Sequence, residues 1–168
     1  MAGVVMLVTR VVLPVTELRR SGHHGYRRWC LVVERGLQAQ YGQDNGTPLP
    51  HILGAWGECA VAHALGLHWP TDSGPDGHRA DVGGWHVRTT RRRSDGDERL
   101  VVRSNDPGSA PFLLVIADGA VAFRIMGWLY ASEARRPEWR EARQGRPPSW
   151  FAPWRDLRPW PNSVAPSA

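Results

Sequence analysis

A glycine pair, Gly83-Gly84, separates two short runs, Arg79-Ala80-Asp81-Val82 and Trp85-His86-Val87-Arg88. Glycine reaches positive φ without steric penalty, so the pair suits the two-residue turn that joins antiparallel strands. Closing that turn sets Val82 opposite Trp85, Asp81 opposite His86, Ala80 opposite Val87 and Arg79 opposite Arg88. Opposed residues share a face and neighbours alternate. The predicted ribbon therefore has one apolar face, Ala80, Val82, Trp85 and Val87. The other face carries Arg79, Asp81, His86 and Arg88, and reads either as solvated charge or as a site of chemistry.

The stretches around this ribbon interleave strand and helix patterns. Val4 to Leu13 is Val-rich and strand-like up to Pro14. Thr16 to about Gln40 has a rough helical stripe, with breaks conceivable at Ser21-Gly22 and Gly25. Gly54 to Leu65 predicts a small-residue helix capped by Gly66. Leu100–Arg103, Pro111–Ile116 and Val121–Leu129 predict strands, and the unbroken apolar run of the second places it centrally, covered on both faces. A short helix from Ser132 to Arg143 and a last element over Trp150–Leu157 follow, ahead of a Pro/Ser/Ala tail expected to be disordered. The expected class is α/β (α+β): one domain over residues 1–158, with an N-terminal strand and helix (1–45) packed on a core (54–158). Its mixed central sheet is flanked by helices, and residues 159–168 form the tail.

With 168 residues, 42% hydrophobic content and nine tryptophans, the chain can build a real core. All 21 of its basic residues are Arg, and the net charge of +5 favours a polyanionic partner, most simply DNA. Cys30 and Cys59 have no metal-ligand or CxxC spacing and read as reduced, buried thiols of a cytoplasmic protein. No apolar run approaches a membrane span, and the start lacks the features of a signal peptide.

Glu58 lies on the wheel of the Gly54–Leu65 helix with Ala62 and Leu65, the face that meets the sheet. A carboxylate there needs a cation, hydrogen bonds or a proton; the helix dipole near the N-terminus is an equally good explanation. Glu58, Asp81 and His86-Val87-Arg88 together form an ordered array of helical acid, ribbon acid and x-Val-Arg. The array resembles the PD-(D/E)XK, or restriction-endonuclease-like, nuclease superfamily, whose pattern is a helical Glu, an Asp at a strand end and (D/E/Q)-x-K on the next strand. The resemblance extends from Gly54-Ala55-Trp56-Gly57-Glu58 through Phe112–Val115 and Phe123–Leu129 to Leu157-Arg158-Pro159, and is similar to small proteins of actinobacteria and their phages.

The resemblance implies a restriction-endonuclease-like fold and Mg²⁺- or Mn²⁺-dependent hydrolysis of DNA phosphodiesters in a bacterial or phage-infected cell. Glu58, Asp81 and His86 would hold the metal and Arg88 would stabilise the phosphate. Arg79 and Arg91-Arg92-Arg93 would contact nucleic acid. His86 stands where the family has a carboxylate or amide, and Arg88 where it has Lys, which cannot be replaced by Arg as a base. His86 as general base is a second role open to it. The alternative is a catalytically degenerate nuclease fold that binds DNA or serves a phage as an accessory or structural protein. A homodimer is compatible with either.

Overall fold

The apolar run from Pro111 to Ile116 becomes the inner strand on which two layers form. A computed structural model describes residues 8–36, 46–69, 79–142 and 146–166. In chain order the strands are β1 (Thr9–Val12), β2 (His86–Arg91), β3 (Arg99–Arg103), β4 (Pro111–Ala117), β5 (Ala122–Tyr130), β6 (Arg140–Glu141) and β7 (Ser149–Pro153). The helices are α1 (Val15–Glu34), α2 (Leu49–Ala64) and α3 (Ala131–Ala134), with 3₁₀ turns at Pro137–Trp139 and Trp154–Asp156. The fold is α+β, with a four-stranded mixed sheet ordered β1-β5-β4-β2 and a three-stranded sheet ordered β3-β7-β6.

Side-chain alternation along β4 separates two apolar cores. Leu113 and Val115 point to the helical side, where Ala55, Ala60, Val61 and Ala62 of α2 cover them. Phe112, Leu114 and Ile116 point to the other side and meet Leu100, Val102 and Ala152 of the small sheet. Every residue from Pro111 to Ile116 is buried, as the run predicts.

The glycine pair makes the expected turn, with φ of 54° at Gly83 and 85° at Gly84, and Val82 pairs with Trp85. The ribbon stops there. Asp81 N–H donates to the Trp85 carbonyl at 2.8 Å, and the chain beyond turns to pair β2 with β4 in parallel, His86 against Phe112 and Arg88 against Leu114. The longer apolar run of β4 offers β2 a fully covered partner, which the short and charged Arg79–Asp81 segment does not.

Four other expectations change. Helix α1 runs unbroken through Ser21-Gly22 and Gly25, because α2 crosses it there: a Cβ on Gly25 would lie 2.6 Å from the His51 carbonyl oxygen. Helix α2 starts five residues early, at Leu49, and ends as expected, with Gly66 N–H to the His63 carbonyl and Leu67 N–H to the Ala62 carbonyl. The tail, expected to be disordered, is tied down at three points within 159–166: Trp160 is buried, Trp85 Nε1 donates to the Ser163 carbonyl at 2.9 Å, and Ala165 N–H to the Gly83 carbonyl at 2.8 Å. The helix expected from Ser132 lasts only to Ala134. Val4–Leu7 and Gln144 lie outside the described residues.

Helix α2 meets β2 through a residue with no side chain. A Cβ on Gly57 would fall 1.8 Å from Thr89 Oγ1 and 2.9 Å from both Thr89 Cβ and Cγ2. Gly57→Ala is expected to lower stability by about 1–3 kcal/mol by prising α2 off the strand. Thr89→Ala in the same chain should recover part of that loss, read as non-additive urea midpoints; additive losses would place the strain elsewhere.

Candidate active site

β2 is an edge strand of the four-stranded sheet, and a cleft of about 300 Å³ opens along it. Helices α1 and α2 supply one wall, with Arg28, His51 and Glu58. The small sheet supplies the other, with Arg99, Val101 and Arg103, and Asp81 and Arg88 lie between. The helical acid and the ribbon acid therefore share one cavity, although they are 23 residues apart in the chain.

Glu58 is carried inward by the close seating of α2 at Gly57, its neighbour. Both of its oxygens are held by Arg28 of α1, Nη1 to Oε1 at 2.7 Å and Nη2 to Oε2 at 2.8 Å, a fork-on-fork pair. The Arg28 guanidinium also lies 5.9 Å from the centroid of the buried Trp69 ring. Burial pushes the Glu58 carboxyl upward in pKa and the charge of Asp81 pushes it further, against the opposing pull of Arg28.

Asp81 is fixed by the turn. Because β2 lacks a neighbour on this side, the outward-facing N–H of Val87 is available, and Asp81 Oδ2 accepts it at 2.7 Å. Burial raises the Asp81 carboxyl as well. The Val87 N–H, Arg88 and Arg28 oppose that rise, and Asp106 adds to it.

Arg88 enters the cleft from β2 anchored on its far side. Its Nη2 donates to both oxygens of Asp106 at 2.9 and 3.0 Å, and Nε to the Val101 carbonyl at 3.3 Å. Asp106 is itself locked by the Arg103 N–H at 2.8 Å. The Asn105-Asp106-Pro107-Gly108 segment after β3 is thus the mount for a cleft arginine.

His86 does not join the other predicted ligands. It is buried against Phe112, ring centroids 4.8 Å apart and nearly parallel, and is not among the residues lining the cleft. The reason is the early end of the ribbon: once β2 pairs with β4, Asp81 and His86 are no longer opposed. Arg79, Arg91, Arg92 and Arg93 are exposed and also lie outside the cleft lining, with Arg92 on Asp118 at 3.0 Å and Arg93 on Asp95 at 2.8 Å. Among the described residues no three His, Cys, Asp or Glu side chains gather closely enough to hold a metal.

The sequence did not single out Arg28, His51, Arg99 or Arg103 for this cleft. Arg28 was visible as part of a basic helix face, but nothing local shows which acid it meets 30 residues on. His51 stands in the first turn of α2, ahead of where the periodicity places that helix. Its Nε2 is buried without a hydrogen-bond partner among the described residues. Burial, followed by the nearby charge of Arg28, lowers its pKa, so the imidazole is neutral near pH 7.

The two raised carboxyls hold their protons more tightly in the folded chain than in the unfolded one. The stability contributed by that protonation is complete below the ordinary carboxyl pKa of about 4 and is lost as pH rises through the raised folded values. Asp81→Asn removes one titration and its repulsion on Glu58, while the amide oxygen can still accept the Val87 N–H. The variant is expected to gain stability relative to the parent as pH rises above about 4, measured as the difference in urea midpoints. A difference that stays flat with pH would contradict it.

No helix of the described residues is long and apolar enough to cross a membrane. Comparison with protein-family models, with curated proteins and with solved structures finds no match for the chain.

Proposed function

We propose that the protein is a divalent-metal-dependent nuclease that hydrolyses DNA phosphodiesters in the cleft along β2. The observation that carries this reading is the meeting of Glu58 and Asp81 in one cavity with Arg28, Arg88, Arg99 and Arg103. One buried and one half-buried carboxyl, both pushed up in pKa by desolvation and Glu58 also by Asp81, form a site whose excess negative charge a cation relieves. Their donors are oxygens, which suit Mg²⁺ or Mn²⁺. Such ions are commonly held by one or two carboxylates, with water and substrate phosphate completing the shell. The residues present therefore fit a small, hard cation held by Glu58 and Asp81, without His86.

A bound Mg²⁺ or Mn²⁺ would supply an acidified water and charge neutralisation at the phosphate. The protein's own residues do the rest. Asp81, tied to the Val87 amide, fixes one ligand direction against the rigid edge of β2. Arg88, braced by Asp106, presents its guanidinium to the phosphate as negative charge builds on it. Arg88 cannot take a proton near neutral pH, whereas neutral His51 can accept one from the attacking water. The water oxygen bonds to phosphorus, the bond to one ester oxygen breaks, and that oxygen leaves with a proton equivalent to the one His51 took up, delivered from the imidazolium or through solvent, which returns His51 to its neutral form.

The second reading is a DNA-binding protein with the same fold and no hydrolysis. The observation that favours it is the Arg28–Glu58 pair, which occupies both oxygens of one proposed ligand.

Incubation of relaxed and supercoiled plasmid with Mn²⁺ separates the two. Cleavage is expected from the parent chain, with a loss of at least about 100-fold in Asp81→Ala and in Glu58→Ala. His86→Ala should stay within about threefold of the parent if it folds, since its ring lies outside the cleft. Cleavage that survives Asp81→Ala or needs no metal would overturn the nuclease reading. Retarded plasmid without any cleavage would support the second.

A further inference from the structure

Arg28 holds both oxygens of Glu58, so a cation that takes Glu58 as a ligand competes with the guanidinium for that carboxylate. Arg88 and Arg99, by contrast, are held by acids outside the proposed metal pair, Arg88 by Asp106 and Arg99 by Asp97 and Glu141. Arg28 is therefore the cleft arginine whose two-pronged face is engaged by a proposed metal ligand, and turning that face to an incoming anion means letting go of Glu58. Its side chain is 19% exposed, so the guanidinium reaches the open part of the cleft, and the face of Trp69 gives it an apolar surface to turn against.

We propose that Arg28 is a phosphate-binding residue of the cleft, and that it exchanges Glu58 for the phosphate when the cation binds. The inference rests on the metal-dependent reading above and adds to it a coupling between the two ligands. One ion pair, Arg28 with Glu58, is replaced by two, Glu58 with the cation and Arg28 with the phosphate. A cation arriving alone must strand a half-buried guanidinium. A phosphate arriving alone must strand a buried carboxylate already pressed by Asp81. Each half-exchange leaves an unpaired buried charge, which is strongly unfavourable; the complete exchange leaves none. Cation and phosphate therefore bind cooperatively, and by linkage each strengthens the other by the same factor. The planar fork of Arg28, which fits a carboxylate through two parallel hydrogen bonds, fits two phosphate oxygens equally well.

Calorimetric titration with Mn²⁺ tests this without turnover. It is run with and without a saturating phosphorothioate-linked oligothymidylate. The parent chain is expected to bind Mn²⁺ roughly 10-fold more tightly with the oligonucleotide present, within the usual range of about 5–150-fold for coupled sites. Arg28→Met should bind Mn²⁺ alone more tightly than the parent, bind the oligonucleotide less tightly, and retain less than about twofold enhancement. Arg28→Lys, which keeps the charge but loses the fork, should fall between and serves if the Met variant does not fold. Enhancement that persists in Arg28→Met, or Mn²⁺ affinity that does not rise in it, overturns the exchange while leaving the metal site standing. Absence of Mn²⁺ binding in the parent and both variants overturns the exchange and the metal reading together.

Discussion

The contact between Gly57 and Thr89 sets the position of everything chemical in this protein. Helix α2 can lie against β2 only because position 57 carries no side chain, and the next residue along the helix is the buried acid. Moving α2 outward by the width of a methyl group would carry Glu58 away from the strand edge beside which Asp81 is held. Packing and electrostatics are therefore one problem at this point in the fold. The steric allowance at one residue decides the distance between two charges.

Those charges are arranged as a ring of mutual dependence rather than as isolated pairs. Arg28 links α1 to α2 through Glu58, Arg88 links β2 to the turn after β3 through Asp106, and Asp81 lies between the two guanidinium groups. Arg28, Glu58 and Arg88 are each oriented by an element other than their own. The open edge of β2 contributes as well. A fifth strand would satisfy the Val87 amide, and Asp81 would then lose the hydrogen bond that aims it.

Much of the scaffold could be read from residues alone. The apolar run Pro111–Ile116 announced a doubly covered strand, Gly83-Gly84 announced its turn, Gly66 announced the end of α2, and Glu58 announced an inward acid. These are local patterns, decided by periodicity and backbone sterics. Three features could not be read in that way. The ribbon ends after one pair because β4 competes for β2, and parallel pairing across some 25 residues leaves no local mark. His86 turns to Phe112 as a result, so only Glu58 and Asp81 of the three expected ligands line the cleft. Arg28 and His51 join the cleft through the crossing of α1 and α2, which a single sequence shows only as small residues at Ser21, Gly22 and Gly25. The separate sheet of β3, β6 and β7 is equally a product of long-range pairing.

The strap formed by Ser163 to Ala165 gives the site a dependence on chain order. It fastens the indole of Trp85 and the carbonyl of Gly83 from 78 residues downstream of that tryptophan. Closing so long a loop is entropically slow. Glu58 can thus settle into its helix early through short-range contacts, whereas the bend bearing Asp81 gains its outer brace only after the intervening strands have found one another. The two acids come into register late, and a chain that has not yet finished folding carries no completed cavity.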